Sequence, residues 1–290
     1  MKICIKCDGE ILQETWICPS CGFTPVRKNG YFMFAKELSE QNEGFKPEYF
    51  EELAKLESEN FWFCSRNRLI LWALDKYFPK TKNFLEIGCG TGFVLSAIEK
   101  KYPKLDLYGS EIYSKGLEFA GSRISRAMLF QMDAKRIPFR NEFDVIGAFD
   151  VLEHIAEDSE VLSMIYKAVK PNGGIILTVP QHKFLWSKYD EFSHHIRRYS
   201  RKELILKVKT AGFKIISVTS FVSLLLPLVI ASRLKWRVSE KEYDSMSQYN
   251  LGAFMNNLLE QVLSFELMLI KIGIRFSFGR SLLLVAYKEK

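Results

Sequence analysis

Three groups of residues in this chain have types and spacings that could do chemistry. In FLEIGCGTGF, residues 84–93, an apolar run carrying Glu86 leads into glycines at Gly88, Gly90 and Gly92. Glycine at that interval lets backbone approach a nucleotide closely, so the segment predicts a strand, a tight turn and a helix opening at Phe93. Near the start, Cys4, Cys7, Cys18 and Cys21 form C-x2-C-x10-C-x2-C. Two such knuckles bring four thiolates into the tetrahedron that zinc accepts, and a module of about 25 residues needs the metal to fold. The third group is histidine. All four, His154, His182, His194 and His195, fall in DVLEHI (150–155) or QHKFLWSKYDEFSHHIRRYS (181–200). Imidazole titrates near neutrality and is the commonest general base.

The glycine spacing restricts the nucleotide. A dinucleotide fingerprint needs a third glycine where Phe93 stands, and a Walker A loop needs Lys and Ser or Thr after Gly92. ATP binding by that route is excluded, and NAD binding loses its most diagnostic residue. The next strand, LDLYGSEI (105–112), carries Glu111 near its end, where an acid can accept both hydroxyls of a ribose. AMLFQMDAKRIPF (127–139), EFDVIGAFDVLEHI (142–155) and YKAVKPNGGIILTVP (166–180) follow, the last with a Pro-Asn-Gly-Gly turn that announces a strand.

In that order these segments resemble the motifs of the class I S-adenosylmethionine-dependent methyltransferases, over roughly residues 60–290. DVLEHI is shared with the ubiquinone-type O-methyltransferases and their relatives. The resemblance implies a cofactor pocket of Glu86, Gly88, Gly90, Gly92, Glu111 and Asp150, with Asp133 and the Ala134 backbone near the adenine amine. The H-x-R-R-Y run is similar to one in a bacterial subgroup, which implies that Arg198 organises the pocket or meets an anionic substrate group. His195 and His154 are the candidate bases. Asp150, Glu153 and His154 stand at i, i+3 and i+4, so one helical turn would put them on one face. Magnesium is an alternative ligand there, the favoured reading being that Glu153 and His154 shape the pocket or cap the following helix. Cys64 and Cys89 have no partner at ligand spacing and read as packing residues.

The elements that must position these residues follow from pattern. Strands at 84–87, 106–111, 128–131, 144–149 and 174–179 alternate with helical stretches, which predicts an α/β, doubly wound, mostly parallel sheet. The family resemblance makes it a seven-stranded Rossmann-like sheet. FKIISVTS (213–220) and SLLLVAYK (281–288) read as its last two strands, with a helical insertion between them. The chain divides into a zinc ribbon (1–33), a two-helix linker that could cover the cofactor (34–80) and the methyltransferase domain (81–290), whose segment 220–278 is an insertion or lid. In 34–80 the second helix carries Leu69, Trp72, Ala73 and Tyr77 at helical spacing.

Composition bounds the rest. With 290 residues, 48% hydrophobic and 26% charged, the chain is a folded globular protein. MKICIKCDGE has no apolar core of a secretory signal, so a cytoplasmic location with reduced or metal-bound cysteines is expected. SFVSLLLPLVIAS (220–232) is too short to span a bilayer and contains Pro227. Beside it lie Arg233, Lys235 and Arg237. Apolar surface next to basic charge suits a lid over a greasy acceptor or peripheral contact with the inner face of the membrane through 220–237. The expected acceptor is therefore an O or N atom of a small, lipophilic or lipid-linked molecule. The within-class alternative is ribosomal RNA, favoured by a net charge of +7, but CPSCG ends in Gly22 and the ribbon has no Arg/Lys stripe with interleaved aromatics. A non-catalytic scaffold that recruits a partner through the ribbon is the alternative of another class. Oligomeric state is not legible in the sequence.

Overall fold

The computed structural model describes residues 1–12, 15–39, 47–237 and 251–290, excepting the side chains of 47–48 and 234–237. Strands β1 (Lys2–Ile3) and β2 (Glu10–Ile11) open the chain, followed by the hairpin β3 (Val26–Lys28) and β4 (Tyr31–Met33). Helices α1 (Lys36–Ser39), α2 (Pro47–Leu56) and α3 (Phe61–Tyr77) lead into the sheet. There β5 (Asn83–Ile87), α4 (Phe93–Lys101), β6 (Asp106–Glu111), α5 (Ser114–Arg123), β7 (Met128–Gln131), β8 (Phe143–Phe149), α6 (Asp158–Ala168) and β9 (Val169–Pro180) alternate as the periodicity predicts. The short α7 (Lys188–Phe192), α8 (Arg201–Thr210), β10 (Lys214–Phe221), α9 (Leu226–Arg237), α10 (Ala253–Lys271) and β11 (Ser281–Tyr287) complete the chain.

The strands form one sheet in the order β10-β11-β9-β8-β5-β6-β7-β4-β3. The seven expected strands are the β10-to-β7 part, with β11 antiparallel to both neighbours. The sheet has nine strands rather than seven because β4 pairs in parallel with β7 and β3 pairs with β4. This hairpin, the last part of segment 1–33, covers what would be the open edge of β7. The linker holds three helices where the pattern suggested two. The third is the four-residue α1, and residues 40–46 lie outside the described ones.

Alternation along each strand sends side chains into two cores, one per face. Phe84 points into the layer formed with α3, α4, α5 and α10, whereas its neighbour Leu85 points into the layer with α6 and α8. Cys4, Trp16 and Cys18 join the second layer. Trp16 meets Phe34 edge-on at 4.7 Å, with Phe139 at 5.5 Å and Phe130 at 6.0 Å. Burial of the indole docks the cysteine module on the sheet; it is not a free arm. In the insertion, α10 packs on α3 through Leu263, Leu267 and Ile270, and Arg68 pairs with Glu260 at 2.6 Å. No helix among the described residues is long and apolar enough to cross a membrane.

Candidate active site

Chain crossings diverge between β5 and β8, and the crevice at such a switch point, outside the carboxyl ends of the strands, is where open α/β sheets take ligands. Here it is a cavity of about 950 Å³. That volume lies at the upper end of the roughly 300–1,000 Å³ of small-molecule sites, so a nucleoside and a second substrate can share it. The ends of β5, β6, β7 and β8 reach it through Gly88, Glu111, Asp133 and Asp150.

The glycines of the turn after β5 divide their work. Gly90 lines the cavity with φ +52°, and a Cβ there would meet nothing within 4 Å. Its requirement is conformation and space for a ligand. Gly92 faces away from the cavity, since a Cβ on it would come within 2.6 Å of Ile124 and 3.0 Å of the Ala120 backbone. It is a close-packing position between α4 and α5. Gly88 is similarly crowded by Val151 at 2.5 Å.

Glu111 is set by the turn that follows it. Its carboxylate accepts from the backbone N–H of Gly90 (3.0 Å), Ile112 (2.8 Å) and Tyr113 (3.1 Å). Burial raises its pKa while those amides work in the opposite direction. Glu86 is 2% exposed and its Oε2 has no hydrogen-bond partner. Burial pushes its carboxyl well above the ordinary range, with the positive charge of Arg66 opposing. A buried, unpartnered oxygen on a ligand cavity calls for a donor or cation from the ligand. S-adenosylmethionine, with its ammonium, sulfonium and ribose hydroxyls, fits that donor set. Asp133 and Ala134 lie along the same wall, and Asp133 Oδ1 accepts from the Lys135 amide at 2.9 Å.

Two residues of this end were not foreseen. Arg66, from α3, pairs with Asp150 and lies 4.6 Å over the Trp62 ring. Asp150, at φ +58°, is thereby turned toward α3, and the segment after it, Leu152–His154, is a single 3-10 turn. Asp150, Glu153 and His154 therefore do not share a helical face. The acid and imidazoles that do converge are Glu153, His154 and His195, whose ligand atoms lie within 4.8 Å of one another. Glu57, at the end of α2, accepts from Thr91 and from Arg123 at 2.8 Å, tying the linker to the glycine turn. The helix α3 itself follows from the spacing of Leu69, Trp72, Ala73 and Tyr77, but only FWFCSR, read as a possible cofactor cover, hinted that it reaches the cavity.

At the other end, His154, His194 and His195 line the cavity, and His182 instead stacks on Phe278. The His154 and His195 rings meet edge to face at 4.7 Å. His154 is exposed on the cavity, and the density of cavity walls around it, with the neighbouring imidazoles of His195 and His194, pushes its pKa below the ordinary value. His195 Nδ1 lies 2.9 Å from Asp190 Oδ1, and its Nε2 is 3.9 Å from Glu153 Oε1. Glu153 is fully buried with neither oxygen partnered. Burial, then the charge of Asp150, raises its pKa well above the carboxylate range.

Arg198 is 2% exposed and does not line the cavity; its Nε donates to Asp190 at 2.8 Å and its Nη1 to the Gln181 carbonyl. It stands behind the pocket wall and not in it. Arg197 and Tyr199 both reach Asp158, which locks the loop onto the start of α6. The Cys89 thiol is buried, and Cys64 Sγ donates to the Ser58 carbonyl, as packing residues do.

The four N-terminal thiols converge ahead of the β3–β4 hairpin. Cys4 Sγ and Cys21 Sγ are 3.7 Å apart, and Cys7 Sγ and Cys18 Sγ 3.6 Å. Tetrahedral ligation with Zn–S bonds near 2.3 Å requires sulfurs roughly 3.8 Å apart. Each C-x2-C knuckle sits on a tight turn, Cys4–Cys7 closed by Asp8 N–H to the Cys4 carbonyl and Cys18–Cys21 by Gly22 N–H to the Cys18 carbonyl. The cluster has the donor set and spacing of a structural zinc site.

A parallel switch-point crevice with a glycine turn and an acid at the second strand end defines a nucleoside-binding, doubly wound enzyme. The chain belongs to the S-adenosylmethionine-dependent methyltransferases: a family model described as a methyltransferase domain matches residues 56–218. It is 25% identical over 114 residues to the malonyl-[acyl-carrier protein] O-methyltransferase of Priestia megaterium, a match covering 39% of this chain and 42% of that protein. It is 26% identical over 199 residues to the demethylmenaquinone methyltransferase of Lactobacillus johnsonii, covering 61% of this chain and 77% of that one. Among solved structures, Haemonchus contortus phosphoethanolamine N-methyltransferase 2 with S-adenosyl-L-methionine superposes with a TM-score of 0.52 at 17% identity, over 83% of this chain and 60% of that one. At such identity the likeness concerns the fold.

Proposed function

We propose that the protein transfers the methyl group of S-adenosylmethionine to an oxygen, or a nitrogen, of a small, lipophilic or lipid-linked acceptor. The observation that carries the acceptor chemistry is the pair of imidazoles, His154 and His195, on the cavity wall beyond Asp150. In this reading Glu111 receives the ribose hydroxyls, and Asp133 with the Ala134 backbone receives the adenine amine. Glu86 and the Gly88–Gly90 turn face the methionine end, and Asp150 is held in place by Arg66. A zinc ion on Cys4, Cys7, Cys18 and Cys21 stabilises the module that braces the β7 edge. When bound, the cofactor supplies a sulfonium methyl whose bond to sulfur breaks, with its electron pair going to sulfur, as the acceptor atom bonds the carbon. The chain's own residues hold the two reactants in line and accept the acceptor's proton, His195 being the favoured base.

The lipid part of the reading is supported by α10. Phe254, Leu258, Phe265, Met268 and Ile272 are exposed at intervals that put them on one helical stripe, opposite the buried Leu263, Leu267 and Ile270. An apolar groove of about 620 Å³ lies nearby in the insertion, lined by Leu224, Pro227, Ile230 and Phe278. At its start α10 is tied to the cavity wall, because Asn256 accepts from the Phe61 amide at 2.8 Å. We infer that this surface rests on a membrane that carries the acceptor; the basic residues Lys235 and Arg237 lie beyond the described side chains. Incubating the protein and a cell extract with methyl-labelled S-adenosylmethionine tests the reading. Label in the organic-extractable fraction is expected, and label in RNA would replace the lipid acceptor with a nucleic acid.

A further inference from the structure

We propose that Asp190 is a positioning residue that fixes His195 as the Nδ1–H tautomer, leaving Nε2 as the lone-pair atom turned to the acceptor end of the cavity. The proposal rests on the methyltransferase reading and names an atom within it. Asp190 has a fully buried carboxylate with every near neighbour a donor. Its Oδ1 meets His195 Nδ1 at 2.9 Å and Arg198 Nε at 2.8 Å, and its Oδ2 accepts from the Ser187 amide and hydroxyl, both at 2.8 Å. The His195 amide also donates to the Asp190 carbonyl at 2.8 Å, so backbone and side chain seat the ring together.

An acceptor-only oxygen with this partner set demands a proton on Nδ1. The other tautomer would set the Nδ1 lone pair against the carboxylate and lose a charge-assisted hydrogen bond. Burial acts to raise the Asp190 carboxyl, but the hydrogen bond of His195 and the charge of Arg198 together hold it well below the ordinary range. These donors favour the ionised carboxylate. Nε2 has no hydrogen-bond partner in the protein at that point, its nearest acid being Glu153 at 3.9 Å. His154 offers no equivalent arrangement: no carboxylate hydrogen-bonds to its ring, and the oxygens of neighbouring Glu153 have no hydrogen-bond partner. When an acceptor sheds its proton, Nε2 takes it, Nδ1 keeps its own, and the imidazolium that results faces the Asp190 charge. The logic is that of a carboxylate orienting a histidine base, reached here from α7 and the segment that follows it.

The test is nitrogen-15 NMR of the full-length protein labelled at histidine and saturated with S-adenosylhomocysteine, at a pH where imidazole is neutral. With four histidines, His195→Gln identifies the ring by the signals it removes. The expected spectrum shows Nδ1 protonated and Nε2 bare by at least about tenfold, the ratio a charge-assisted hydrogen bond supports. In Asp190→Asn, whose amide can donate to Nδ1, the Nε2–H form should appear. An Nε2–H ring in the unmodified protein, or the same spectrum in Asp190→Asn, overturns the proposal. If Asp190→Asn fails to fold, the unmodified protein decides alone. Failure of the methyltransferase reading shows separately, as an absence of S-adenosylhomocysteine binding in the same samples.

Discussion

The two ends of the cavity are built differently. At the glycine-turn end, Glu86, Gly90, Glu111 and Asp133 sit on or just beyond the ends of neighbouring parallel strands, and Gly90, Glu111 and Asp133 are set by turns of a few residues. At the imidazole end, His154 comes from a 3-10 turn after β8 and His195 from the segment after α7, which ion pairs to Asp190 and Asp158 seat. A strand terminus carries its geometry with it, whereas a loop has to be given its geometry by partners distant in sequence. One sheet can therefore hold one cofactor and, by changing loops, many acceptors.

The contrast can be broken by substitution. His195→Gln should cause the largest change, lowering kcat by about 10²–10⁴ with S-adenosylhomocysteine affinity unchanged. Equal activity in that variant would move the base to His154. Arg66→Ala removes the cation that faces Asp150 and Glu86 from α3. Its pair is partly buried, so a loss of about 1–2 kcal/mol in thermal unfolding is expected, with roughly tenfold weaker cofactor binding. Unchanged binding would separate α3 from the cofactor end.

Glu153→Gln sharpens the comparison through pH. A carboxyl whose folded pKa lies above its unfolded one favours the fold below the unfolded value of about 4.3 and loses that contribution as pH rises from there through the raised folded pKa. The neutral amide has no such loss, so the stability of Glu153→Gln relative to the natural protein should increase from pH 4 to pH 8 in denaturant melts. A pH-independent difference would mean that Glu153 is ionised in the fold. The smallest effect on catalysis is expected from Phe265→Ser on the exposed stripe of α10. It should leave cofactor binding intact while reducing co-sedimentation with anionic phospholipid vesicles, and unchanged sedimentation would remove α10 from the membrane contact.

Much of this division was visible before the fold was. The strands around the glycine turn, the acid at Glu111 and the thiol spacing are local in sequence, and period and spacing report local geometry. Arg66 is not legible that way, because it reaches Asp150 only through tertiary packing. Asp190 lies close in sequence to His195 and Arg198, but it has neither the helical nor the strand spacing that would announce one carboxylate gathering both. Gly92 has the spacing of a ligand-facing glycine, yet the nearness of Ala120 makes it a packing position. The hairpin at 26–33 gave no sign of joining the sheet, because its pairing with β7 spans about a hundred residues and rests on Trp16 and its aromatic neighbours.

The central claim is that the strand-end cavity holds S-adenosylmethionine through Glu111. Calorimetric titration of S-adenosylhomocysteine into the natural protein and Glu111→Ala, with zinc measured in both, tests it most directly. Binding at one site per chain is predicted, weakened on the order of 100-fold in Glu111→Ala by the loss of charged hydrogen bonds, with zinc content equal in the two proteins. No binding to the natural protein, or equal affinity in both, would contradict it.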